Sequence, residues 1–205
     1  MKNNFNRIAP MYDMLSKTIF GNTIRNAQKS HLNQIEAKKR IVIVGGGSGK
    51  ILLDLNQLGL ELDVIYVELS TSMMERAMAI QPIINLNVEF VCADVLQMEL
   101  PASDVIITNF FLDVFTEPNL NAVMIKLAAA LRPNGIWLCT DFVLTRKFFN
   151  DMLVWAMYAF FRVTTNLEGG RLLDFEEYFS KIGFQCIVSK TYFNRMIMSS
   201  CYKRT

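Results

Sequence analysis

Short apolar runs alternate with helical patterns along most of this chain, and this alternation limits the folds it can adopt. The runs are rich in β-branched residues and apolar on both faces, as are strands covered by helices on both sides. They lie at residues 41–44, 64–67, 88–92, 105–108 and 136–140. Helical patterns separate them at residues 50–58, 73–80 and 118–131. Strands separated by helices predict a doubly wound, mostly parallel α/β sheet.

The C-terminal part of the chain follows a different rhythm. After a helical pattern at residues 175–182, two strand-like runs at 185–192 and 196–202 are separated by only three residues. So short a link excludes a parallel crossover, so the two runs either pair antiparallel or lie apart in the sheet. We predict a single domain, residues 1–205, with a Rossmann-like sheet of seven strands, a C-terminal antiparallel strand and helices on both faces.

Composition narrows the function classes. The formal net charge is only +2, and no basic patch is evident, so no nucleic acid is expected as a partner. The four cysteines stand far apart beside a single histidine, which predicts no metal site and reduced thiols of a cytoplasmic protein. The apolar residues 152–161 are too few for a transmembrane segment. His31 lies in a polar stretch and is expected to face solvent.

A glycine-rich turn, VGGGSGK, joins the first strand to the first helical pattern. It is not a P-loop, because that motif would need a glycine at Val44 and a hydroxyl at Ile51. It also departs from the dinucleotide fingerprint, whose third glycine falls on Lys50. What remains is a glycine at every second position: Gly45, Gly47 and Gly49. This spacing suits close approach of the backbone to a ligand with little phosphate, or a turn without special chemistry.

Two acids end neighbouring strands beside this turn. Glu68 ends the second predicted strand and could accept both hydroxyls of a ribose. Asp94 follows the third strand at the same edge of the sheet and could accept an amino proton of adenine. Each acid alone could be a helix N-cap or a solvated loop residue. Together with the glycine turn, the pair predicts a nucleoside pocket.

Five motifs in this order resemble those of the class I S-adenosylmethionine (SAM)-dependent methyltransferases. They are the glycine turn, ELSTSMMERA, CADVLQMEL, DVIITNFFLDVF and LRPNGIWLCTDF. The segment FNRIAPMYD at residues 5–13 further resembles the ubiquinone/menaquinone-biosynthesis C-methyltransferase branch. One departure is Ile43, which stands where the first motif of the family usually has an acid.

The resemblance implies a SAM site, with S-adenosylhomocysteine (SAH) as the product. Glu68 would bind the ribose, Asp94 would face the adenine, and Tyr12 would close over the cofactor unless it is an ordinary residue of an amphipathic helix. The cofactor-binding residues it implies are Tyr12, Gly45, Gly46, Gly47, Gly49, Glu68, Leu69, Met73, Asp94, Val95, Asn109 and Phe110. The chain is thereby predicted to be an enzyme that methylates a small molecule, as a monomer or a homodimer.

Methyl transfer from a sulfonium needs positioning more than acid–base chemistry, so neither a metal nor a covalent intermediate is expected. A phenol or acidic carbon would need a base, for which Asp113, Asp141 and Tyr12 are the candidates. A helical lid at residues 1–35 and an insert at 145–170 are expected to cover the site. The residues predicted to line an acceptor pocket are Phe111, Trp155, Tyr158 and Phe161.

An aromatic lining of this kind predicts a hydrophobic or aromatic acceptor, unless the rings only pack the insert. Two other functions stay open. Ile43 and the lack of an evident base fit a non-catalytic nucleoside-binding protein of the same fold. A nicotinamide-dependent oxidoreductase is disfavoured by Lys50.

Overall fold

The computed structural model describes residues 20–81, 83–143 and 175–205, whose strands form one seven-stranded sheet. The strand order is β3-β2-β1-β4-β5-β7-β6. β7 runs antiparallel to both of its neighbours, and all other pairs are parallel. The strands are β1 (Arg40–Val44), β2 (Leu62–Glu68), β3 (Leu86–Cys92), β4 (Ser103–Asn109), β5 (Leu131–Phe142), β6 (Phe184–Tyr192) and β7 (Ile197–Arg204). The predicted fold class is confirmed, and of the two arrangements left open for the last two runs the structure shows antiparallel pairing.

Helices pack on both faces of this sheet. They are α1 (Thr23–Lys29), α2 (Lys50–Asn56), α3 (Thr71–Met78), α4 (Glu117–Ala130) and α5 (Phe175–Lys181), with 3-10 turns at Leu32–Gln34 and Leu112–Val114. Ile43 of β1 joins the core formed with α2 and α3, whereas its neighbour Val44 joins the core formed with α4 and α5. Alternate residues of one strand therefore enter different cores, which explains why the strand is apolar on both faces.

Two local predictions are wrong. β3 was expected to be buried on both faces, but it is the edge strand and is about half exposed along its length. The residues that follow it, 93–102, form no helix that could cover it. The second is the start of the helical pattern at residue 73: α3 begins two residues earlier, at Thr71, and Ser70 Oγ accepts the Met73 N–H at 3.4 Å.

His31 is buried rather than facing solvent. Its Nε2 lies 2.9 Å from the carbonyl oxygen of Ser199 in β7. The reason is tertiary, because α1 packs against β6 and β7 and brings the following turn onto the sheet. No polar pattern around His31 in the sequence could have shown that docking.

The direction in which strands are added reverses at β1. β2 and β3 lie on one side of β1, and β4 and the later strands lie on its other side. In open α/β sheets, ligands bind beyond the carboxyl ends of the strands at such a switch point. This places the glycine turn, which follows β1, where a ligand is expected. No helix of the described ranges has the length and apolar character needed to cross a membrane.

The indole of Trp137 gives a direct test of the core on the α4 side of the sheet. The side chain is fully buried in β5 and its Nε1–H donates to Thr108 Oγ1 at 2.9 Å. Thr108→Val keeps the shape but leaves a buried donor unsatisfied, so we expect a loss of about 1–3 kcal/mol in the free energy of unfolding. Urea unfolding followed by tryptophan fluorescence measures it.

The matched control is Thr191→Val on the exposed part of β6, which should change the free energy of unfolding by less than about 0.5 kcal/mol. Equal stability of the two variants would contradict the role given to the Trp137–Thr108 hydrogen bond.

Candidate cofactor site

The glycine turn after β1 needs glycine for two separate reasons. Gly45, Gly47 and Gly49 all have left-handed φ angles, of +66°, +65° and +84°, which other residues rarely adopt. A Cβ on Gly45 would also overlap the ring of Phe111, and one on Gly49 would lie 2.7 Å from the Ala77 Cα of α3. A Cβ on Gly47 would meet nothing within 4 Å. The turn is therefore tightly packed at both ends and open at its centre.

Glu68, at the carboxyl end of β2, lies against this turn. Its Oε2 accepts the Gly47 N–H at 2.9 Å and its Oε1 accepts the Ser70 N–H at 2.8 Å. Each carboxylate oxygen can accept more than one hydrogen bond. Both oxygens therefore keep acceptor capacity after fixing the two backbone amides, and the carboxylate is held beside the open centre of the turn.

Asp94 stands two residues beyond β3, at the same edge of the sheet as Glu68, because Cys92 and Glu68 are register partners. Its Oδ1 accepts the Leu96 N–H at 2.9 Å, which is the loop-stabilising role left open by the sequence. Of the neighbouring residues predicted to bind the cofactor, Leu69 is half exposed, Met73 lies in the first turn of α3, and Val95 is buried in the core.

Phe110, which follows β4, has a left-handed φ of +52°. Its N–H donates to the Thr140 carbonyl at 2.7 Å, and its ring packs 5.0 Å from that of Phe142. Such a backbone conformation costs about 1–3 kcal/mol in a bulky residue and concentrates at ligand-binding sites. Asn109 precedes it as the last residue of β4. The strained position thus lies at the edge of the sheet that carries the glycine turn.

The ring of Phe111, predicted to line an acceptor pocket, packs against Gly45 and lies 5.0 Å from the ring of Phe115. It forms a wall of the glycine turn. The other predicted lining residues, Trp155, Tyr158 and Phe161, lie outside the described residues. So does Tyr12, together with residues 1–19 of the predicted lid and the predicted insert at 145–170.

Asp141 and Asp113 are both buried beneath the strained segment. The two oxygens of Asp141 accept the Leu112 and Phe142 N–H groups, each at 3.0 Å. Burial, and after it the neighbouring carboxylate of Asp113, raises the pKa of Asp141 well above its usual range. Asp141 therefore uses both oxygens to hold the backbone on either side of it, and it binds a proton more readily than an exposed carboxyl group does. This placement argues against its predicted role as a general base.

Tyr66 was not among the predicted site residues. It lies in β2, two positions before Glu68, and its hydroxyl donates to the Gly47 carbonyl at 2.9 Å. Its ring lies so close beneath Gly46 that a Cβ there would overlap it. The only sequence signal is a polar-tipped aromatic inside the otherwise aliphatic run VIYVE, which is equally typical of a core residue.

Part of the chain resembles known methyltransferases. Residues 41–135 match the family model described as a methyltransferase domain. The carboxy-S-adenosyl-L-methionine synthase of Nautilia profundicola is 25% identical over 151 residues, which are 72% of this chain and 64% of that protein. The chain thus spans less than two thirds of the length of this curated relative.

Solved structures share the fold at low sequence identity. The methyltransferase in a complex with the Haloferax volcanii Trm112 methyltransferase activator is 13% identical with a TM-score of 0.74, covering 100% of this chain and 99% of its own. The Burkholderia thailandensis 1,6-didemethyltoxoflavin-N1-methyltransferase, solved with its substrate and SAH, is 14% identical with a TM-score of 0.67, covering 97% and 88%.

The fold is Rossmann-like, with the strand order of an open, mostly parallel α/β sheet. More specifically, it is the fold of the solved methyltransferases, and residues 41–135 match the methyltransferase-domain model, in agreement with the resemblance of the motifs. The finer resemblance to the quinone-biosynthesis branch depends on residues 5–13, which lie outside the described ranges.

Gly46→Ala tests the close approach of the turn to β2. The added Cβ would overlap the buried Tyr66 ring, so we expect a loss of about 2–3 kcal/mol in the free energy of unfolding. We also expect weaker binding of SAH, because the turn must move. The control Gly59→Ala has a left-handed φ but open space around it, and it should cost only about 1 kcal/mol and leave SAH affinity unchanged. A fully stable Gly46→Ala variant would refute this packing.

The raised pKa of Asp141 gives a pH prediction. The unfolded chain loses this proton near pH 3.8, whereas the folded protein retains it, so this group lowers the free energy of unfolding progressively as pH rises above about 4. Asp141→Asn removes that dependence. Its amide nitrogen replaces one acceptor oxygen, and the resulting loss of stability does not vary with pH. Urea unfolding across the acid-to-neutral range should show that the free energy of unfolding of the variant increases relative to that of the wild type as pH rises. A stability difference that does not change with pH would contradict a raised pKa of Asp141.

Proposed function

We propose that this protein binds SAM over the glycine turn and transfers its methyl group to a hydrophobic or aromatic small molecule. The observation that carries this proposal is the open centre of the turn at Gly47, with Glu68 fixed beside it at the switch point of the sheet. A buried structural turn would not need an open left-handed glycine next to a carboxylate with spare acceptor capacity.

The pose follows from the chemistry of each group. The ribose hydroxyls would donate to the remaining lone pairs of Glu68, giving charge-assisted hydrogen bonds. The adenine would lie between Leu69 of the β2 end and Asp94 of the β3 end, both of which border the same edge of the sheet. The methionine part would extend toward Asn109 and the strained Phe110, on the other side of β1.

The sulfonium of bound SAM supplies an activated methyl group, so the protein has mainly to position the acceptor and exclude water. The turn and Glu68 would fix the adenosyl end, while the segment after β4 would set the direction of approach. Asp141 holds that segment through the Leu112 N–H. Because both oxygens of Asp141 are buried and accept backbone N–H groups, we favour an acceptor atom that does not need Asp141 to remove a proton from it.

An aromatic cluster supports a hydrophobic acceptor. Phe142 lies 5.0 Å from Phe110 and 5.7 Å from Phe20, and Phe20 lies 4.7 Å from Phe193. These rings gather at the carboxyl end of β5, where Phe20 and Phe142 are buried and Phe110 and Phe193 are partly exposed. An apolar wall with few charges suits an apolar or aromatic acceptor better than a phosphorylated one.

Calorimetry with SAH and with NADH separates the cofactor classes. We expect SAH to bind and NADH not to bind, and tight binding of NADH alone would refute the assignment in favour of an oxidoreductase. Incubation of the full chain with methyl-labelled SAM and a small-molecule extract then tests catalysis. A labelled apolar product supports methyl transfer, whereas SAH binding without any product would favour the non-catalytic reading.

A second candidate function comes from the curated relative, which is named as a carboxy-SAM synthase. Such an activity would bond a carboxyl group, released by a carboxylic-acid donor in the extract, to a carbon of SAM in place of a proton, which passes to the donor, and would leave the sulfonium intact. Mass spectrometry of the same incubation distinguishes the two. Formation of SAH with a methylated acceptor supports our proposal, and a carboxylated SAM derivative would replace it by the second candidate.

Glu68→Ala should weaken SAH binding by about 1.5–3 kcal/mol, the scale of hydrogen bonds to a charged group. The control Glu75→Ala changes an exposed acid on α3 and should leave the affinity unchanged. Calorimetry at a temperature where both variants are folded measures the difference. An unaltered affinity in Glu68→Ala would place the ribose elsewhere.

A further inference from the structure

Both polar backbone groups of Gly47 are held by side chains of β2. Its N–H donates to Glu68 Oε2, and its carbonyl accepts the Tyr66 hydroxyl, each at 2.9 Å. Gly47 is also the open glycine of the turn, with nothing within 4 Å of the place of a Cβ. A glycine with free space has many accessible backbone conformations. These two hydrogen bonds therefore select one of them.

The Tyr66 hydrogen bond sets the direction of the next amide. The peptide bond is planar and trans, so the Ser48 N–H points opposite to the Gly47 carbonyl. That carbonyl points at Tyr66, beneath the turn. The Ser48 N–H therefore points away from the Tyr66 hydroxyl.

We propose that Tyr66 is a positioning residue of the SAM site, which fixes the Gly47–Ser48 peptide so that its amide can donate to an oxygen of the bound ligand. This inference rests on the proposed function. In this role Tyr66 would not contact the ligand but would act through the turn. Glu68 would both fix the turn and contact the ribose.

The surroundings of Tyr66 suit this role. Its ring is fully buried, packs 5.5 Å from the ring of Phe90, and lies directly beneath Gly46. Burial, with a smaller effect of the Glu68 carboxylate, raises the pKa of Tyr66 well above its ordinary value. The hydroxyl therefore stays protonated and remains a donor over the whole physiological pH range.

The register of β1 and β2 adds a second observation. Ile43, which stands where the resemblance leads one to expect an acid, is the direct partner of Tyr66. Side chains of such partners lie next to each other on the same face of the sheet. In this chain, the polar group under the glycine turn is thus the Tyr66 hydroxyl. It comes from β2, whereas the expected acid would come from β1.

Tyr66→Phe removes only the hydroxyl and keeps the buried ring. The control is Tyr202→Phe, which makes the same change in a buried tyrosine four strands away in the sheet. We expect SAH affinity, measured by calorimetry on the full chain, to fall about 5- to 10-fold in Tyr66→Phe, as for loss of one ordinary hydrogen bond. It should be unchanged in Tyr202→Phe.

Amide signals of the ligand-free protein, observed by NMR, provide a readout that general loosening of the core would not produce. In Tyr66→Phe the Gly47 and Ser48 signals should shift or broaden, while those of α5 stay in place. Equal SAH affinity of Tyr66→Phe and wild type would overturn the inference, and so would equal weakening by both tyrosine variants. If the wild type binds no SAH, the proposed function fails, and the ligand-free signals still decide whether Tyr66 fixes the turn.

Discussion

Two hydrogen bonds from β2 to the main chain of Gly47 are the constraint on which the site depends. A glycine turn by itself is a flexible link, because glycine loses more conformational freedom on ordering than any other residue. Here Glu68 and Tyr66 hold the N–H and the carbonyl of its central residue. Ala77 of α3 lies too close to Gly49 to allow a side chain there. The surface that would receive a ligand is thus ordered before the ligand arrives, which lowers the entropic cost of binding.

Much of this arrangement could be predicted from local sequence patterns. Runs that are apolar on both faces indicate parallel strands covered by helices, and parallel register brings the ends of β1, β2 and β4 to one edge of the sheet. The position of Glu68 beside the glycine turn follows directly from that geometry. The short link between β6 and β7 likewise indicates antiparallel pairing.

Other features depend on contacts between distant parts of the chain, which no local pattern encodes. His31 is buried because α1 docks on the last two strands, and β3 is exposed because it is the edge strand. Asp141 resembled an accessible acid at a strand end, yet its oxygens are used by the backbone of the next segment. The Tyr66 hydroxyl of β2 reaches Gly47 in the turn after β1, a contact that the run VIYV does not indicate.

The most direct test of the account is a crystal structure of the full chain grown with SAH. The account predicts density for the adenosyl group above Gly47, with both ribose hydroxyls within hydrogen-bonding distance of Glu68 and an oxygen of the ligand facing the Ser48 amide. Density for SAH at any other place, or a Glu68 carboxylate directed away from the ligand, would contradict it.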